Sequence, residues 1–204
     1  MKQLKVHAKF IEEVLGSVPS TPEVYSEYVA SKAPEALSLD DEVASLGVEE
    51  VVEKSMTVFY REEGRPLLFD YQIKGFLKDA CGALARVKGT EAKKVRPYKR
   101  VIDGTVFVYP RKIPLVFEGE VGTCQRPLRA GGPKGERTAL ANSETCPAGT
   151  EMFFTVEVME DSYVPLIKEL PGYSKKRGFG QWRNSGKGRA VCEIVEIIDG
   201  AYED

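Results

Sequence analysis

Residues 70–87 read "DYQIKGFLKDACGALARV". Ile73, Phe76, Leu77, Ala80, Cys81 and Leu84 recur at three- and four-residue intervals, which puts them on one face of a helix, while Lys74 and Lys78 point elsewhere. A helix with one apolar stripe needs a partner layer, so its flanks decide the fold. Upstream, "SMTVFYREEGRPLLF" (55–69) reads as a strand and hairpin turn running into this helix. Further upstream, "LKVHAKFI" (4–11) alternates Leu4, Val6, Ala8 and Phe10 with Lys5, His7 and Lys9, the period of a half-buried strand. His7 falls on its polar face.

Downstream come strands at "TVFVYP" (105–110), "IPLVF" (113–117) and "EMFFTVEVM" (151–159), and a short helix "DSYVPLIKELPGY" (161–173) with Pro165 confined to its first turn. The strand "AVCEIVEII" (190–198) closes the series. Without insertions the order is β, α, β, β, α, β, the split βαβ of an α+β, ferredoxin-like (RRM-like) core with an antiparallel sheet. Residues 1–204 are expected to form a single domain carrying two inserts. Residues 12–56 read as an acidic helical insertion: "STPEVYSEYVASKA" (20–33) has Ser20 or Thr21 to cap it and Pro22 at its start, and "SLDDEVASLG" (38–47) is closed by Gly47. Residues 88–150 read as a basic connector, "KGTEAKKVRPYKR", then strands and a Gly-, Pro- and Arg-rich excursion from 122 carrying one short strand.

The formal net charge of -2 conceals a division. Residues 12–63 hold thirteen acids against three bases, whereas 86–112 hold nine bases against two acids. A protein that coats long nucleic acid carries a general positive surplus, so a local anion site fits this distribution better. Four cysteines, at 81, 124, 146 and 192, make no C-x-x-C pair, and His7 is the single histidine. Reduced structural thiols are expected, with no metal centre and no cofactor. No run of about 18 apolar residues exists, and "MKQLKVHAKF" has no signal-peptide core, so a cytoplasmic protein that does not enter a membrane is expected.

The stretch "GYSKKRGFGQWRNSGKGR" (172–189) packs five glycines and six bases around the chain's one tryptophan, with no acid. Gly178 and Gly180 permit positive φ and close backbone approach to an anion, with Arg177, Arg183, Lys187 and Arg189 supplying charge. Gly178 and Gly180 read equally as structural turns, and Trp182 either stacks on a base or, as large aromatics usually do, joins the core. The Walker A spacing fails, because five residues separate Gly180 from Gly186 and no Ser or Thr follows Lys187. Lys74 and Lys78, near a helix start, form a second candidate phosphate site, and Arg126 and Arg129 in the excursion a third. Each has a plainer reading as a solvated surface.

The order of "IKGFLKDACGAL", "NSETCPAGTEMFFTVEV" and "KKRGFGQW" before a final strand resembles the RAMP superfamily, the ferredoxin-fold RNA-binding proteins of CRISPR systems. It is most similar to the branch forming repeated backbone subunits of effector complexes, over residues 4–11, 66–88 and 137–198. The fuller "GFGQWRNSGKGR" also resembles small phage or prophage proteins. The resemblance implies a helix start facing RNA, which favours Lys74. It implies catalysis, if any, at a histidine near the amino terminus or an aspartate before the central helix. His7 and Asp70 are the candidates, each with a plainer role as a surface histidine and an N-cap.

Three readings follow. One is a non-catalytic binder of a nucleotide-derived molecule or short RNA, encoded by a phage or mobile element and acting in counter-defence. The second is an RNA-binding backbone subunit of an effector complex. The third, ranked last, is a RAMP endoribonuclease. The first two imply a homo-oligomer.

Overall fold

A computed structural model describes residues 1–19, 56–132 and 135–202; the side chains of 19 and of 128–140 lie outside that description. The acidic helices expected at 20–33 and 38–47 lie wholly outside the described residues. In chain order the elements are β1 (Lys2–Phe10), β2 (Val14–Leu15), β3 (Val18–Pro19), β4 (Thr57–Val58), β5 (Tyr60–Glu62) and β6 (Arg65–Phe69). There follow α1 (Asp70–Leu84), α2 (Tyr98–Thr105), β7 (Val106–Tyr109), β8 (Lys112–Pro114), β9 (Gly122–Gly132), β10 (Gly135–Cys146), β11 (Glu151–Val158), α3 (Val164–Glu169) and β12 (Ala190–Asp199). The chain divides into two compact units, one of residues 1–14, 60–120 and 146–204, the other of 15–59 and 121–145.

The first unit holds the α+β, ferredoxin-like core. Its four-stranded sheet runs β12–β1–β11–β7, every pair antiparallel, so the last strand flanks the first as a split βαβ requires. The alternation in β1 does what its period dictates. Leu4, Val6, Ala8 and Phe10 are at most 1% exposed, whereas His7 stands opposite Phe153 and Glu193 on the other face. Facing the apolar side, α1 buries Ile73, Phe76, Leu77, Ala80 and Cys81, and α3 buries Leu166 and Ile167. Leu84, the last residue of the expected stripe, is half-buried.

Local chemistry sets the limits of α1. Gln72 Oε1 accepts the Phe69 N–H at 2.8 Å, satisfying a donor left over at the helix start. At the far end the Thr90 hydroxyl donates to the Leu84 carbonyl at 2.8 Å, closing the terminal turn. The hairpin before the helix turns on Glu63 and Gly64, both at positive φ, the two-residue geometry matched to strand twist.

The connector at 88–100 is not the loop its sparse apolar pattern suggests. It contains a 3-10 turn at Ala92–Lys94 and the start of α2, because two residues, Ala92 and Ile102, are fully buried and pin it. Connector and excursion also part company, since 88–120 belong to the first unit and 121–145 to the second.

In the second unit the expected excursion with one short strand is instead a long hairpin. Its strands β9 and β10 pair from Gly122↔Thr145 to Gly132↔Gly135. Glycine, proline and arginine have weak strand preference, but an unbroken ladder supplies backbone partners whatever the side chains prefer. β10 also pairs in parallel with β4 at Ser143↔Thr57, where the two hydroxyls lie 2.7 Å apart. Glu144 accepts the Phe59 N–H at 2.9 Å on the same seam.

Candidate ligand-binding loop

Residues 172–189 leave the 3-10 turn Leu170–Lys175 and return into β12. The loop closes on itself at a neck of two glycines. Phe179 N–H donates to the Gly188 carbonyl at 2.9 Å, and a Cβ on Gly178 would stand 2.0 Å from the Gly188 carbonyl carbon. A Cβ on Gly188, whose φ is +68°, would meet the Phe179 oxygen at 1.9 Å. Both positions therefore exclude any side chain. Phe179 is buried against Phe10 and Phe76, which seats the neck on β1 and α1.

Five of the expected ligand bases are committed inside the protein. Arg177 Nε lies 2.6 Å and Arg183 Nη1 3.2 Å from the same Asp79 carboxylate oxygen on α1. Lys187 pairs with Glu13. On another side of α1, Lys78 pairs with Asp103 at 2.8 Å. Lys74 donates to the Asp103 backbone carbonyl at 3.0 Å and lies over the Phe107 ring, and burial lowers its pKa. Hydrogen bonding from Lys78 holds the Asp103 carboxyl below its ordinary value. Lys74 and Lys78 thus tie α1 to α2 rather than standing free at the helix start.

What the loop presents outward is smaller and sharper. Trp182 is 38% exposed, so it is not a core residue, and its backbone sits in the left-handed region at φ 52°. A bulky side chain there costs about 1–2 kcal/mol, strain that persists only where the surroundings impose it. The 3-10 turn Arg183–Ser185 follows, and Gly186 at φ 89° lets the Arg189 guanidinium pack where a Cβ would be 3.2 Å away. Among the described residues no carboxylate pairs with Arg189, and its Nε is buried without a hydrogen-bond partner. Gly180 also adopts positive φ, at 73°. Lys175 and Lys176, exposed at the loop's entry, carry no partner among the described residues.

The remaining candidates belong to other elements. Arg126 is only 8% exposed in β9 of the second unit, where a solvent-facing ligand base was expected. The backbone of Arg129 is in the same strand, its side chain outside the described set. Asp70 is the first residue of α1 and not its cap, which is Phe69; Asp70 pairs with Arg111 at 2.8 Å. His7 Nε2 lies 3.2 Å from Glu151, and its ring stacks on exposed Phe153 at 4.6 Å. It lines an open groove of about 620 Å³ with Lys9, Ile11, Gly149 and Glu193. No described contact joins His7 to Asp70. Asp79, which neutralises two of the three arginines of the loop, had no sequence signal beyond its place on α1.

This is a ferredoxin-like fold with a glycine-necked basic loop before its last strand. No family model matches the chain, and no curated protein matches it. Among solved structures it is similar to a chain of the Type III-B Cmr-beta bound to cognate target RNA, with a TM-score of 0.53 and 13% identity, over 98% of this chain and 61% of that one. A chain of a Type IV-B CRISPR complex aligns at a TM-score of 0.49 and 13% identity, over 100% of this chain and 93% of the other. The first likeness establishes a shared fold, and the present chain spans about three-fifths of that neighbour's length. Among the described residues no helix is long and apolar enough to cross a membrane.

Proposed function

We propose that the protein is a non-catalytic member of the RAMP-like proteins that holds a nucleotide unit of short single-stranded RNA on the 172–189 loop. Trp182 stacks on a base and Arg189 meets the adjoining phosphate. The observation that carries this reading is the outward Trp182, strained and 38% exposed, on a loop otherwise locked by Gly178, Gly188 and Asp79. A locked loop has already given up its freedom, so stacking pays little ordering entropy. The fold shared with a chain of an RNA-bound complex supports the same ligand class.

Two settings share this site: a subunit of an RNA-guided effector, or a mobile-element protein that withholds a nucleotide signal from host defence. The similarity of "GFGQWRNSGKGR" to phage proteins favours the second. As the chain's one tryptophan, Trp182 reports its own occupancy. Titration with AMP, cyclic oligonucleotides and single-stranded RNA is expected to quench its emission, and Trp182→Ala to weaken binding by about 5- to 150-fold. Unchanged emission with every ligand, or full affinity in the alanine variant, would overturn the proposal. RNA of defined length released from a large purified particle would favour the effector setting, and a small nucleotide the other.

A further inference from the structure

The connector between α1 and β7 is a fixed shelf. Glu169, at the end of α3, accepts the N–H of Glu91 at 3.1 Å and of Ala92 at 3.0 Å, while Thr90 ties the shelf to the end of α1. From it project Arg86, Lys88, Lys93, Arg96 and Arg100, all exposed and none paired with a carboxylate among the described residues. The acids of the same stretch are spent, Glu91 on Lys94 and Asp103 on Lys78. Cations held close together without counter-charge raise the local potential and attract a polyanion.

The shelf leads to the loop. The chain passes from Glu169 through the 3-10 turn Leu170–Lys175, about 2.0 Å per residue, so unpaired Lys175 and Lys176 lie about 12–14 Å along it from the shelf's anchor. We infer that the shelf at 86–100 is a second binding site, for the phosphate backbone of a single strand of nucleic acid whose base stacks on Trp182. The ligand is then a strand rather than a mononucleotide. An acidic protein surface fits less well, because the shelf's one large exposed apolar side chain is Val87 and a protein interface needs a desolvated apolar centre. The inference rests on the loop reading above.

The test uses the full chain, a fluorescein-labelled single-stranded RNA of about 20 nucleotides and AMP, with binding followed over a range of salt. The double variant Lys93→Glu/Arg96→Glu is expected to bind the RNA at least about tenfold more weakly, with a log–log salt slope shallower by about 1.4, or roughly 0.7 per lost phosphate contact. Quenching of Trp182 by AMP is expected to be unchanged, which also shows that the variant is folded. The neutral pair Lys93→Gln/Arg96→Gln is expected to fall between. Undiminished RNA affinity and slope in both variants would overturn the shelf alone. Failure of wild-type protein to bind either probe would overturn loop and shelf together. Displacement of the RNA by poly-glutamate at equal charge would assign the shelf to acidic peptide and overturn the inference as well.

Discussion

One carboxylate oxygen of Asp79 serves two arginines, Arg177 Nε at 2.6 Å and Arg183 Nη1 at 3.2 Å. All three side chains are 30–37% exposed, so solvent screens each pair and its worth is about 1 kcal/mol or less. Arg177→Ala should therefore lower stability by no more than about 1 kcal/mol. Because its charge is already neutralised, the salt dependence of RNA binding should not change. Urea denaturation and binding at several salt concentrations check the two halves; a shallower slope would show that Arg177 meets phosphate after all.

The glycines of the loop divide by a simple criterion. At Gly178 an added methyl would overlap the Gly188 backbone, so Gly178→Ala should cost about 1–3 kcal/mol as the neck is forced open. Gly172→Ala meets nothing within 4 Å and should be neutral or slightly stabilising. Comparing the melting temperatures of the two variants decides it. Equal effects would mean that the neck is not as tight as described.

Trp182 separates binding from folding. Base stacking on an aromatic is worth about 1–3 kcal/mol, so Trp182→Ala should weaken RNA binding by about 5- to 150-fold. Replacement by glycine should weaken binding as much, yet leave the protein about 1 kcal/mol more stable than the alanine variant, since glycine accepts positive φ. Equilibrium unfolding of the two variants gives the difference. Equal stabilities would remove the strain argument.

Acid should loosen the α1–α2 seam. Asp103 has its pKa lowered by the hydrogen bond from Lys78, and Glu151 by that from Lys9. A depressed carboxyl pKa contributes stability that is fully present above the unfolded values of 3.8 and 4.5 and is lost as pH falls through the folded values. Denaturant midpoints should thus be flat above about pH 5.5 and fall once the pH drops below about 4.5. Asp103→Asn should remove part of that fall. A midpoint that rises on acidification would contradict the assignment.

The cysteines should be slow to react. Burial pushes the Cys81 and Cys192 thiols up to about 11, so at pH 8 both are almost wholly protonated and poor nucleophiles. Alkylation at that pH followed by peptide mass mapping should find both of these residues modified later than Cys124. Rapid labelling of Cys81 would show α1 opening in solution.

The core was legible because its signals are periodic. The alternation in 4–10 and the stripe of 73–81 each reported a face, and the order of the elements then left one sheet. The hairpin at 122–146 was not legible, since its ladder is made by backbone groups that carry no side-chain signature. The site was legible in part: the loop's glycines announced tight geometry, but charge counting found no acid within 172–189. The neutralising carboxylates come from Glu13 and Asp79, far off in sequence, and only the fold brings them near. The same blindness hid the connector's rigidity, which depends on Glu169.

The neck between Phe179 and Gly188 turns what lies between into a cassette. Its two ends meet within a single 2.9 Å hydrogen bond, so the strand that follows does not register what the enclosed residues are or how many there are. Contents can be exchanged while the neck stays put, provided Arg183 and Lys187 keep their pairs with Asp79 and Glu13. Transplanting residues 180–187 from a protein of different ligand preference, with both neck glycines, Arg183 and Lys187 kept, is thus the shortest route to re-targeting this fold without redesigning its sheet.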